Sequence, residues 1–390
     1  MSERLSFSDF AYRSSCLVPR LNYRVTNLRS LERCPLRRGQ LVILILVTSI
    51  GILLPSNAAR SESNLIFNGS EKSIYFLDIS KSSDSQRLWQ LLRTSLLEKV
   101  DTALGAPSRP GIKKPKLPTD LSISIIDKNS QAAPIIEIIS IKDAERIWGF
   151  IINKVGGGKP TSLRLESIAN DFFGSSGVYT TLISDYALQE TIANVSTQDC
   201  TGKAEAAFLK SNFMDNVSAG LRSEASKEVC NIIVKLTKGI NEADRLFSSP
   251  NCGKGSCSDV VGAVQRAAAV SADLGRDAKK GNPKLCIAIA SDMLNHYPGI
   301  SQSSPWNTMQ AIKKVASPAD AERLGSTVAR DASVSFTSKV KVRVDVIGQG
   351  ASTNFPRELR SKLDAYWNGF WSAAGVPVRS QKASLDQACK

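Results

Sequence analysis

The sequence predicts an α/β fold: a Rossmann-like, doubly wound, mainly parallel sheet carrying a helical insertion. Three observations predict it. Short apolar runs at residues 73–77, 121–126 and 285–290 each lead into a residue with an oxygen side chain, as strands buried on both faces do. Stretches with apolar residues at helical spacing separate these runs, which is the alternation of a mainly parallel sheet. One long stretch, residues 142–247, is helical in pattern and has no strand within it. A chain of 390 residues has room for two ordinary domains or for one with a large insertion.

In chain order, the first strand is Ser73-Ile-Tyr-Phe-Leu77, ending in Asp78. A helix follows, because Leu88, Leu91, Leu92, Leu96, Val100 and Leu104 share one stripe beside Trp89, and the pattern stops at Gly105-Ala-Pro107. Residues 107–118 are a Pro-rich loop with Lys113, Lys114 and Lys116. Strands are expected at 121–126 and 135–141, separated by the turn-forming Asp127-Lys-Asn-Ser130. The insertion shows helical patterns near 142–154, 163–173, 178–193, 203–222 and 225–247. Within it, Gly156-Gly-Gly-Lys159 is followed by Pro160, lacks the spacing of a phosphate loop, and reads as an interhelix turn. After Ser258 come a helix to about Leu274, a strand at Leu285–Ala290 and a helix over 306–330. In the strand 340–347, valines alternate with Lys341, Arg343 and Asp345, which predicts one buried face and one wet face. The last helix, 357–374, presents Leu363, Trp367 and Phe370 for packing, and 377–390 reads as a C-terminal tail.

The N-terminus predicts the compartment. Residues 1–40 are a basic extension ending near Arg37-Arg38, followed by the apolar run 41–54 and by Pro55-Ser-Asn-Ala-Ala59. A positive region, an apolar region and a small-residue cleavage site make 41–59 a signal peptide or membrane anchor, with 60–71 as linker. The apolar run is shorter than the roughly 20 residues of a spanning helix, which favours cleavage. Export (periplasmic, secreted, or anchored and facing away from the cytoplasm) permits disulfides. Six cysteines lie beyond the apolar run: Cys200, Cys230, Cys252, Cys257, Cys286 and Cys389. Their pairing is open, although Cys252 and Cys257 are close enough to staple a local loop. Cys286, inside an apolar run, reads as an inert buried thiol. The sequons at Asn68, Asn194 and Asn216 matter in a host that glycosylates exported chains.

Composition excludes several functions. With a single histidine, His296, a zinc site built from several imidazoles is ruled out. The net charge is +14, of which residues 1–59 hold +5. The rest is dispersed among acidic residues, so no phosphate track for nucleic acid emerges.

Three loops at the carboxyl ends of strands hold the oxygen-rich side chains, where open α/β sheets place ligands. They are Asp78-Ile-Ser80-Lys-Ser82, Gly255-Ser256-Cys257-Ser258-Asp259, and Ser291-Asp292. This order resembles the von Willebrand factor A family, whose metal site uses DxSxS, then a Thr-Asp loop, then an Asp after a strand. Asp78, Ser80 and Ser82 fit the first motif. Ser258 with Asp259 stands at Thr-Asp, and Asp292 fits the last acid. The likeness covers residues 72–376, with 142–247 inserted before the second loop, and it departs from the family in having Ser for Thr at 258. The resemblance implies a metal held by Asp78, Ser80, Ser82, Ser258 and Asp292, with Asp259, Ser256 and Ser291 behind them. Mg²⁺, Mn²⁺ or Ca²⁺ is the implied ion, and hard oxygen donors suit such a cation. The implied partner is a protein that completes the coordination with a carboxylate; membrane contact is expected only through an uncleaved N-terminus. Two other readings stand beside this one. One is a metal-free structural or assembly module of the same fold. The other is a metal-dependent phosphohydrolase using Asp78 as nucleophile, although Ser80 stands where that chemistry wants a second Asp.

Overall fold

The computed structural model describes residues 71–79, 85–104, 119–187, 195–248, 257–277, 283–296, 304–350 and 355–389. Six strands form one sheet: β1 (Glu71–Asp78), β2 (Thr119–Ile126), β3 (Ile136–Ile139), β4 (Lys284–Ala290), β5 (Lys341–Ile347) and β6 (Val378–Lys382), in the order β3-β2-β1-β4-β5-β6. All neighbours are parallel except β2 and β3, which are antiparallel. Asp78 pairs with Ile126, Leu77 with Ala290, and Ala290 with Ile347, so four carboxyl ends lie level along one edge.

Period-two alternation sends the strand residues into two cores. Tyr75, Leu77, Ile123 and Ala288 face one, while Ile74, Phe76, Ile287 and Val344 face the other. Both cores are needed because a central parallel strand is apolar on both faces. The first core packs against α1 (Ser85–Ala103) and against the insertion, which comprises α2 (Ile141–Phe150), α3 (Ser162–Phe173), α4 (Val178–Tyr186), α5 (Thr197–Phe208) and α6 (Ala219–Ser248). The long α6 lies against β3 and β2, and Cys200–Cys230 fastens it to α5. The second core packs against α7 (Val260–Asp277), α8 (Thr308–Lys314), α9 (Pro318–Asp331) and α10 (Arg360–Ala373).

Four local readings are corrected by long-range or capping interactions. The stretch 203–222 is not one helix, because α5 ends at Phe208 and α6 starts at Ala219. Between them the buried Asp171 carboxylate accepts the Phe213 and Met214 N–H groups at 2.8 and 2.9 Å, which holds the chain in a non-α turn. The helix expected over 306–330 is two helices, since Ser317 and Asp320 form a capping box and Pro318 occupies the first turn of α9, where proline suits a new start. The wet face of β5 is only partly wet. Lys341 is exposed, but Asp345 is fully buried, paired with Arg343 and accepting Ser380 Oγ at 2.6 Å. The cause is β6, which comes from the segment read as a tail. Cys286 is likewise not a thiol: it is bonded to Cys389, 103 residues later.

The apolar run 41–54 lies outside the described residues, as do Lys113, Lys114, Lys116, Asn68 and Asn194. Among the described residues, no helix is long and apolar enough to cross a membrane.

Candidate functional site at the centre of the sheet

The chain leaves β1 towards β2 and later returns to β4 on the opposite side of β1. The gap above β1 and β4 is therefore the topological switch point, where such sheets bind ligands. Asp78 is the last residue of β1, and Ser291 and Asp292 directly follow β4. The loop after β1 reads Ile79-Ser-Lys-Ser-Ser-Asp84 and lacks the glycines that let a backbone approach a dinucleotide pyrophosphate.

Asp78 is fully buried, and its Oδ2 is the meeting point of the other two loops. Ser258 Oγ donates to it at 2.7 Å and Ser291 Oγ at 2.6 Å. Short distances are characteristic of a hydroxyl bound to an ionised carboxylate. The Ser291 oxygen also accepts the Met293 N–H at 2.9 Å. Ser258 is held by its backbone, which exchanges hydrogen bonds with His296 at 2.9 and 2.8 Å. The second and third loops are thus zipped together before either meets Asp78.

Asp259 has a positioning task. It stands immediately before α7, and its Oδ1 accepts the Gly262 N–H at 2.8 Å, as an N-capping side chain does. Its Oδ2 accepts the Ser130 N–H at 3.1 Å, and its own N–H donates to the Asp127 carbonyl at 2.8 Å, so the turn after β2 joins the assembly. Burial raises the Asp259 pKa, backbone N–H groups from Gly262 and Ser130 oppose the rise, and the neighbouring Asp127 charge adds to it. A Cβ at Gly262 would collide with the Asp259 carboxylate, so glycine is required there.

Asp292 is buried, with Oδ1 accepting the Leu294 N–H at 3.0 Å and its carbonyl accepting the Gly350 N–H at 2.9 Å. The next residue, Met293, has φ of 63°, a left-handed conformation that a non-glycine side chain adopts only when its surroundings enforce it. Here the enforcement is visible: Met293 is buried, and its carbonyl accepts Trp367 Nε1 at 2.9 Å from α10.

Of the residues expected at the site, Asp78, Ser258 and Ser291 come together, and Ser291, expected behind the others, touches Asp78 directly. Ser80, Ser82, Ser256 and Cys252 lie outside the described residues. Cys257 is disulfide-bonded. Asn295 was not expected, yet it ties two loops: its Oδ1 accepts the Val261 N–H at 2.9 Å and its Nδ2 donates to the Trp306 carbonyl at 2.7 Å. Its only sequence signal is an amide close after a strand end.

The donor set is entirely oxygen. Ser258 Oγ donates its hydrogen bond to Asp78, so its oxygen keeps its lone pairs for an electrophile, and this chemistry fits a hard divalent cation. The acidic cluster Cys286, Asp345 and Cys389 elsewhere in the fold does not fit one, because its two sulfurs are bonded to each other. No protein-family model, no curated protein and no solved structure matches the chain.

Proposed function

We propose that the chain is an exported binding protein of von Willebrand factor A-like fold, which uses a divalent cation above β1 and β4 to engage a carboxylate of a protein partner. The observation that carries this reading is the buried Asp78 carboxylate at the switch point, gathering hydroxyls from both other loops at 2.6 and 2.7 Å. In this reading Asp78, Ser258 and Asp292 hold Mg²⁺, Mn²⁺ or Ca²⁺, with Ser80 and Ser82 as further ligands and Ser256, Ser291 and Asp259 behind them. A cation held by few protein charges stays electrophilic and takes an outside carboxylate. Two disulfides, Cys200–Cys230 and Cys286–Cys389, support the exported location.

Electron paramagnetic resonance of Mn²⁺ tests both halves. The chain is expected to remove one Mn²⁺ per molecule from the free signal, and Asp78→Ala to abolish this. Acetate should alter the bound spectrum and tighten Mn²⁺ binding by the same factor with which Mn²⁺ tightens acetate binding. Undiminished Mn²⁺ binding in Asp78→Ala would remove this site from the mechanism.

One observation favours the metal-free assembly module instead. Asp78 already accepts two hydroxyls and Asp259 accepts backbone N–H groups, an arrangement that stabilises three loops without an ion. Absence of Mn²⁺ binding in a folded chain would select this second reading.

A further inference from the structure

The middle of the sheet, on the α1 side, is covered by the segment that follows β6. After β6, residues 383–389 pass through a 3₁₀ turn, Leu385–Gln387, and bury Leu385 and Ala388 in the first core. The segment reaches three strands, two through its backbone and one through a disulfide. The Ala388 carbonyl accepts Tyr75 Oη of β1 at 3.1 Å, the Cys389 N–H donates to the buried Asp345 of β5 at 2.8 Å, and Cys389 is bonded to Cys286 of β4.

Beneath this segment lies Lys99, a buried lysine of α1. Its Nζ donates to Tyr75 Oη at 2.9 Å and to the Ala388 carbonyl at 3.3 Å. A small cavity of about 40 Å³ sits beside it, lined by Ser73, Tyr75, Glu98, Lys99 and Cys389. Only Leu385 and Ala388 of the segment are fully buried, whereas Ala383, Asp386 and Gln387 are exposed. Leu385 and Ala388 bury little apolar area, so at about 25 cal/mol per Å² packing alone is a weak adhesive for this segment.

We propose that residues 383–389 are a redox-released strap: the Cys286–Cys389 bond holds them over β1, β4 and β5, and its reduction uncovers the Lys99 amine and the adjoining cavity. The reductant is a dithiol. Its thiolate attacks Cys389 Sγ, which is half-buried, rather than Cys286, which is 3% exposed. The Cys286–Cys389 bond breaks, and Cys286 departs as a thiolate that takes a proton. The second thiol of the reductant then closes on the mixed disulfide, so the dithiol is oxidised to its own disulfide and Cys389 is released as a thiol. Cys286 leaves beside the Asp345 carboxylate, at 3.9 Å. A dithiol is favoured over a monothiol because its second thiol resolves the mixed disulfide intramolecularly. This device is independent of the cation site.

The test is acylation of Lys99 in the full chain by an amine-reactive ester, read by mass spectrometry. The oxidised protein is compared with the dithiothreitol-treated protein and with Cys389→Ser. The variant is needed because dithiothreitol is not selective for one bond, and Cys200, Cys230 and Cys257 are also disulfide-bonded. Lys99 labelling should rise on the order of tenfold in both, as local opening predicts, while labelling of the exposed Lys341 and the far-ultraviolet circular dichroism stay unchanged. Unchanged Lys99 labelling in folded Cys389→Ser would overturn the proposal, because packing alone would then hold the segment. Loss of protection throughout the sheet would also overturn it, since the bond would then be a staple of the whole fold.

Discussion

Asp78 joins three loops through one buried carboxylate. Its carboxylate is buried because two hydroxyls compensate for lost water, and an unpaired buried charge is otherwise costly. Asp78→Ala strands the Ser258 and Ser291 hydroxyls, so urea unfolding should register a loss of about 1–3 kcal/mol. Asp143 gives a pH-dependent case. Burial works to raise its pKa, but hydrogen bonds from Lys235 and Ser140 outweigh it and hold the carboxyl below its ordinary range. A depressed folded value means the stabilisation is present above the unfolded pKa of about 3.9 and is lost as pH falls through the folded value. Asp143→Asn should therefore cost about 1 kcal/mol at neutral pH, and the gap to the unmodified chain should narrow in urea titrations taken at successively lower pH below the unfolded value of about 3.9. Asp78, Ser258 and Asp292 were legible in the sequence because each follows an apolar run or opens a helical stripe. The direct role of Ser291 was not, since side-chain direction at a strand end depends on a turn that includes Met293 in a left-handed conformation.

At the scale of elements, α9 and α10 illustrate packing that sequence periodicity cannot reveal. A Cβ at Gly325 would collide with the Tyr366 carbonyl, and one at Gly369 with the Glu322 carbonyl. The helices meet backbone to backbone, with Ser326 Oγ donating to the Gly369 carbonyl at 3.1 Å. Gly325→Ala and Gly369→Ala should each destabilise by about 1–3 kcal/mol, the usual cost of overpacking, despite the better helix propensity of alanine. A melting temperature equal to the unmodified chain would refute this close approach. Strands β1, β2, β4 and β5 and the outline of the helical insertion were readable from period-two and period-3.6 patterns. Strand β6 was not, because Val378-Arg-Ser-Gln-Lys382 is a polar edge strand without an apolar run. The break between α5 and α6 was hidden because Asp171, which enforces it, lies 42 residues from Phe213.

For the whole molecule, the sheet order puts the oxygen-rich loops at the carboxyl ends of β1 and β4, while the disulfide-held segment lies across the middle of one sheet face. Among the described residues, Cys200–Cys230 fastens two helices of the insertion together and Cys286–Cys389 fastens residues 383–389 to the central sheet. Pairing was beyond reach of the sequence, since geometry and not spacing selects among cysteines. Cys200→Ser should cost about 2–4 kcal/mol, seen as a fall in melting temperature of the oxidised chain. Thermal unfolding in rising Mg²⁺ asks whether Asp78 and Asp292 belong to the one proposed cation site. An ion that binds only the folded state should add about 2.7 kcal/mol at 100 times its dissociation constant. The melting temperature of the unmodified chain should rise, and that of Asp78→Ala and Asp292→Ala should not. A folded chain whose melting temperature ignores saturating Mg²⁺ and Mn²⁺, or a rise that survives both substitutions, would contradict the proposed site.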